Sequence, residues 1–87
     1  MFTIKIKRKA LRNLEGIDSA KRQKLKSVIM LLKDDPIPFK KTDVIKLRGC
    51  SNSYRIRVGD IRITYEVLWN EKTILIHYVG LRNKAYD

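Results

Sequence analysis

The stretch Tyr54–Val67, YRIRVGDIRITYEV, decides how the chain is read. Tyr54, Ile56 and Val58 alternate with Arg55 and Arg57. After Gly59-Asp60, Ile61, Ile63, Tyr65 and Val67 alternate with Arg62, Thr64 and Glu66. Strict alternation of this kind predicts two half-buried strands. Gly-Asp between them predicts a two-residue turn of type II′, with Gly59 supplying the positive φ at its first position. This register sets Val58 opposite Ile61, Arg57 opposite Arg62, Ile56 opposite Ile63 and Tyr54 opposite Tyr65. One face is an apolar ladder, and the other carries Arg55, Arg57 and Arg62 close together. Like charges placed opposite each other in a sheet cost about 0.2–1 kcal/mol. A solvated face screened by salt would tolerate them. A bound anion would make use of them, and that is the reading preferred here.

Working outward, "MFTIKIKR" alternates Phe2, Ile4 and Ile6 with Thr3, Lys5 and Lys7, which predicts a first strand. "KALRNLEGI" sets Leu11, Leu14 and Ile17 at helical spacing, with Gly16 as a stop. Asp18 or Ser19 can cap a second helix through "AKRQKLKSVIMLLKDD", whose apolar face is Leu25, Val28, Ile29 and Leu32. Pro36 ends it, because the residue before a proline resists the α region. "VIKLRG" predicts a short strand ending at Gly49, and "TILIHYVG" a last strand after the turn "WNEK". The fold class is therefore α+β: an N-terminal strand and two helices packed on one face of a mainly antiparallel sheet. The arginine face is then the open one.

The 87 residues carry 20 Lys+Arg against 9 Asp+Glu, a formal charge of +11. That is enough chain for one domain with one thin core. The charge points to RNA, DNA, an anionic membrane or an acidic protein as partner. Membrane attachment is the weakest of these, since no apolar run is long enough to span and no signal or lipidation motif is present. Cys50 is the sole cysteine, which excludes a disulfide framework or zinc-ribbon spacing and fits an intracellular chain.

"VIKLRG", "YRIRVGDIRITYEV" and "ILIHYVGLRNKAY" together resemble the RelE/ParE superfamily of type II toxins, and within it the RelE branch. The resemblance runs from Val44 to Tyr86, with the strand–helix–helix start agreeing in order. It implies a RelE-like, microbial-ribonuclease-like domain over residues 1–87, cytoplasmic, needing neither metal nor other cofactor. It implies a ribosome-dependent endoribonuclease that cuts mRNA in the A site and is held silent by a RelB-like acidic antitoxin, in a heterotetramer. By the same resemblance Arg57, Arg62, Arg82 and Tyr86 are the catalytic residues. Arg55, Lys46, Arg48 and Lys84 are the RNA-binding ones.

Such cleavage uses the 2′-hydroxyl as nucleophile on the adjacent phosphate, and preorganised cations around the phosphorane lower the barrier. The forked donors of Arg57 and Arg62 suit phosphate oxygens. Arg82 would serve the departing 5′-oxygen, and Tyr86 would stack on a base or orient the 2′-hydroxyl. Where relatives often carry lysine, this chain carries Arg55 and Arg57, which stay protonated and are poor general bases. Lys46, Lys84, a Tyr86 phenolate, or the ribosome itself remain as proton acceptors. A gyrase poison of the ParE kind and a non-enzymatic RNA-binding module are the alternatives.

The other conspicuous residues read as structural. His77 is the sole histidine, so a two-histidine ribonuclease is excluded. With Asn70-Glu71 as the second turn, His77 falls opposite Thr64 on the arginine face, and one residue more or less would turn it into the core. Trp69 is expected to cap the hairpin end or pack on a helix. Cys50 is expected to be inert, and Asp34-Asp35 to begin a loop. Lys21, Arg22, Lys24 and Lys26 form a solvated helix face that could also grip RNA phosphates.

Overall fold

The computed structural model describes residues 1–49 and 51–81. The expectations for Cys50, Arg82, Lys84 and Tyr86 fall outside the described residues. The elements are β1 (Thr3–Ile6), α1 (Arg8–Glu15), α2 (Ser19–Leu31), β2 (Asp43–Lys46), β3 (Ser53–Val58), β4 (Ile61–Leu68) and β5 (Thr73–Leu81). The α+β class holds, with one sheet of order β1-β5-β4-β3-β2. It is a mixed sheet: β1 joins parallel to β5, Thr3 pairing with Thr73 and Ile6 with Ile76. The other neighbours are antiparallel, as hairpin-connected strands must be.

The β3–β4 hairpin has the register that its alternation predicts, from Tyr54 against Tyr65 to Val58 against Ile61. Gly59 has φ +62° and Asp60 is not in the left-handed region, which is what a type II′ turn requires. Along β4, Ile61, Ile63, Tyr65 and Val67 are buried, and Arg62, Thr64, Glu66 and Leu68 between them are not. The helices cover the buried face. Leu25, Ile29 and Leu32 of the α2 segment join Ala10 and Leu14 of α1 over Ile56, Ile63, Ile74 and Ile76.

Both helices are shorter or rotated relative to expectation. Asp18 caps α2, its carboxylate accepting from the Lys21 N–H at 3.3 Å, and the helix stops at Leu31, well short of Pro36. In α1 the buried stripe is Ala10–Leu14, with Ile17 beyond it. A helix turns about 100° per residue, so Leu11 points aside and is 40% exposed. Strand β2 ends at Lys46 rather than continuing to Gly49. Trp69 sits in the β4–β5 turn edge-to-face with Phe2, centroids 5.7 Å apart, and its Nε1 donates to Asn52 Oδ1 at 3.2 Å. It thus caps the hairpin end.

Tyr65 ties the sheet to the loop after α2. Its ring is fully buried beside Tyr54, and its hydroxyl donates to the Pro36 carbonyl at 2.7 Å. Burial, then the neighbouring Tyr54 and Asp35, push its phenol well above the ordinary tyrosine range. Tyr65→Phe leaves that carbonyl without its donor and should cost about 1–2 kcal/mol in urea unfolding. The folded state holds this proton where the unfolded state releases it. The stabilisation is thus full below about pH 10 and declines as pH rises further. Urea midpoints measured from pH 8 to 11 should fall less steeply at the alkaline end for Tyr65→Phe than for the wild type.

Candidate functional site

Three strand registers combine to lay the open face out in rows. One row runs Asp43, Arg57, Arg62, Gly80 across β2, β3, β4 and β5. The next runs Ile45, Arg55, Thr64, Tyr78, and a third holds Ser53, Glu66 and Leu75. Neighbouring strands lie about 4.8 Å apart, and successive rows on one face about 6.8 Å apart. Arg55, Arg57 and Arg62 are thus mutual neighbours around one spot, Arg57 directly beside Arg62 and Arg55 one row away. Burial first, then the charges of Arg62 and Arg57, make the Arg55 guanidinium easier to deprotonate than usual. Arginine starts so high that it remains a cation at neutral pH.

Among the described residues, two carboxylates on this face are already engaged. Asp43 is one: its Oδ2 lies 2.7 Å from Arg57 Nη2 and accepts from Arg57 Nε at 2.8 Å. The Arg57–Arg62 juxtaposition is therefore offset from the far side of β3, an arrangement that the hairpin's own residues could not reveal. Glu66 is the other, with its Oε1 3.0 Å from His77 Nε2. That pair stands two residues along β4 from Thr64, away from the Arg57–Arg62 row.

His77 occupies an irregular position. Asn70 and Glu71 are the central residues of the second turn, closed by Lys72 N–H on the Trp69 carbonyl at 3.2 Å. The β4–β5 register runs as expected up to Tyr65 against Ile76, and then a β-bulge intervenes. Thr64 faces Tyr78, not His77, because His77 is the extra residue. A bulge swings two consecutive side chains to the same side of the strand. His77 and Tyr78 are both half-buried on the open face, and Val79 returns to the core.

The sheet brings Arg55, Arg57 and Arg62 together, but not Lys46 or Arg48. Lys46 pairs with Tyr54, whose ring is in the core, so Lys46 belongs to the helix-side register at the β2 edge. Arg48 is exposed in the connection to β3. Arg82, Lys84 and Tyr86 lie outside the described residues. Beyond the β3–β4 turn, Lys24 and Lys41 border a hollow of about 240 Å³ together with Asp43 and Arg57, so cationic surface continues onto α2. Lys21 is bridged to Asp60 at 3.5 Å, both well exposed. Among the described residues no three His, Cys, Asp or Glu side chains cluster as a metal would need. No helix among them is long and apolar enough to cross a membrane.

Arrayed guanidinium groups on an open sheet are suited to a phosphodiester backbone or another polyanion, each fork offering parallel donors to two oxygens. Comparison with known proteins identifies the family and the fold. Residues 4–86 match the family model described as ParE toxin of type II toxin-antitoxin system, parDE. The predicted toxin RelE1 of Methanocaldococcus jannaschii is 35% identical over 98% of this chain and 94% of its own length. The archaeal RelE–RelB complex from Pyrococcus horikoshii contains a chain that superposes with a TM-score of 0.85 at 32% identity, over 97% of this chain and 98% of that one. The isolated RelE toxin of E. coli superposes at 0.81 over 98% of this chain and 88% of that one, a likeness of fold at 21% identity.

An exposed ion pair such as Asp43–Arg57 contributes at most about 1 kcal/mol. Asp43→Ala should therefore shift the urea midpoint little. It should also delay elution from heparin to higher salt, since it removes a carboxylate that competes for Arg57.

Proposed function

Since the chain belongs to the RelE/ParE superfamily of type II toxins, as a toxin of the RelE family, we propose that it is a ribosome-dependent endoribonuclease that cuts mRNA in the A site. The observation carrying this reading is the cluster of Arg55, Arg57 and Arg62 on one open sheet face, two of them directly cross-strand. In the reaction the 2′-hydroxyl attacks the adjacent phosphorus, and the bond to the 5′-oxygen breaks. A 2′,3′-cyclic phosphate and a 5′-hydroxyl end result. Arg62 and Arg57 bind the non-bridging oxygens, where negative charge grows in the phosphorane. Arg55 neutralises the neighbouring backbone. Arg82 stabilises or protonates the 5′-oxygen as it leaves, and Tyr86 stacks on a base or orients the nucleophile; both roles rest on the family resemblance.

The proton of the 2′-hydroxyl needs an acceptor. With Lys46 on the helix-side register, the acceptors left from the sequence are Lys84, Tyr86 and the ribosome. The partner we propose is a RelB-like antitoxin with an acidic segment, forming a heterotetramer. The +11 charge and the RelE relatives solved with RelB support it. Cover of the arginine rows by carboxylates would silence the site directly.

A second reading, inhibition of gyrase, is the alternative that the resemblance to ParE toxins leaves, and the matching family model is described as a ParE toxin. The two separate in one experiment. Wild type and Arg62→Ala are added to ribosomes carrying a defined mRNA and an empty A site, and primer extension maps the ends. The wild type should cut within the A-site codon, only with ribosomes present, leaving an end that polynucleotide kinase labels without prior phosphatase. Arg62→Ala should bind ribosomes and cut about 10²–10³-fold more slowly. Absence of cutting by ribosome-bound wild type, with loss of gyrase supercoiling on its addition, would replace the first reading by the second.

A further inference from the structure

The β5 bulge builds a feature that the arginines alone do not explain. Tyr78 lies in the row of Arg55 and Thr64, and Gly80 ends the row of Arg57 and Arg62. The phenol of Tyr78 reaches along the strand and lies over Gly80. A Cβ at residue 80 would stand 2.6 Å from Tyr78 Cζ, 2.9 Å from Cε2, and closer still to the hydroxyl oxygen. Any side chain at residue 80 would therefore drive the ring out. The backbone of Gly80 has no positive φ, so it is the space, and not the conformation, that requires glycine here.

The consequence for charge is direct. Gly80 is the immediate cross-strand neighbour of Arg62. A hydroxyl seated on Gly80 is thus an O–H donor one strand away from Arg62, on the same face. It stays half-buried at the rim of a hollow of about 350 Å³, whose far wall is Arg12 and Asn13 of α1 and Ile17 just beyond it. Asn13 pins that wall in place by donating from Nδ2 to the Val79 carbonyl at 3.0 Å. Without the bulge, strict alternation from Ile76 would send Tyr78 to the core with Ile74 and Ile76. The extra residue, the missing side chain at 80 and the Asn13 clamp act together on the placement of one hydroxyl.

We propose that Tyr78 is a substrate-contacting residue of this site, its hydroxyl donating to the same phosphate that Arg62 binds. Gly80 is the positioning residue that gives the ring its seat. The proposal rests on the endoribonuclease reading above. Tyr78 supplies a neutral donor where a further cation would add to the repulsion already present among Arg55, Arg57 and Arg62. It takes no proton from the 2′-hydroxyl in this role; it donates a hydrogen bond to an oxygen whose negative charge grows in the phosphorane, and keeps its own proton throughout.

The test uses the full chain on programmed ribosomes under single turnover, with wild type, Tyr78→Phe, Gly80→Ala and the double variant. Loss of one hydrogen bond to a charged oxygen predicts a maximal cleavage rate about 10–100-fold lower for Tyr78→Phe. The toxin concentration giving half-maximal rate and the urea midpoint should not change. Gly80→Ala should reproduce the loss, because its methyl displaces the ring. Added to Tyr78→Phe it should cost nothing more, a non-additivity expected only if both act through the hydroxyl. Wild-type cutting by Tyr78→Phe would overturn the proposal and leave the endoribonuclease reading standing. So would a loss confined to the half-maximal concentration or the urea midpoint. Failure of the wild type itself to cut would overturn both.

Discussion

The side-chain period of two along the β3–β4 hairpin is the constraint on which the molecule depends. Tyr54–Tyr65, Ile56–Ile63 and Val58–Ile61 pair across the hairpin, with Ile56, Ile63 and Tyr65 wholly removed from water. A one-residue slip would expose that ladder and bury the three arginines instead, losing apolar burial and desolvating charge at once. The cost of exposing even one large apolar side chain, about 1.5–3 kcal/mol, exceeds the 0.2–1 kcal/mol of a like-charge cross-strand pair. The core therefore holds the arginines in opposition, and an unfavourable electrostatic arrangement persists because a larger hydrophobic one enforces it.

Two further devices moderate that opposition without abolishing it. Asp43 reaches Arg57 from β2, at the flank of the cluster and half-exposed. Glu66 is held by His77 at the other end of the face. Each of these two carboxylates trims the field at its own end of the face. The cationic surface then runs past the turn to Lys24 and Lys41, so a polyanion longer than one phosphate has a path across the molecule.

Much of this was legible before any coordinates. Alternation fixed the hairpin register residue by residue, and the type II′ turn followed from Gly59 alone. The apolar face of α2 was legible, and its cap was narrowed to Asp18 or Ser19, because both obey local rules. What was not legible depends on contacts between distant strands. Nothing in DVIK says that Asp43 will meet Arg57, or that Lys46 will share the register of Tyr54, until β2 is paired. Leu11 misled because an apolar residue beside a helical stripe scores like one within it, whereas Ala10 does the packing. The β5 bulge did leave a trace: apolar residues at 74 and 76 are followed by the next buried one at 79, a step of three that breaks the alternation. Read as a phase change, it would have put His77 and Tyr78 on one face, and drawn notice to the glycine at 80.

The parallel pairing of β1 with β5 bears on kinetics. Thr3 meets Thr73, seventy positions later, and β5 lies between β1 and β4 in the sheet. A nascent chain that has made β1 through β4 can zip the local hairpin, but its first strand has no neighbour and β4 shows a bare edge. Closing so long a loop is slow, and the unpaired edges are sticky while it lasts. The row that ends in Gly80, and with it the whole breadth of the arginine face, can be assembled only after the fifth strand arrives. The breadth of the arginine face is thus tied to the last strand of the chain and to the longest-range pairing in the sheet.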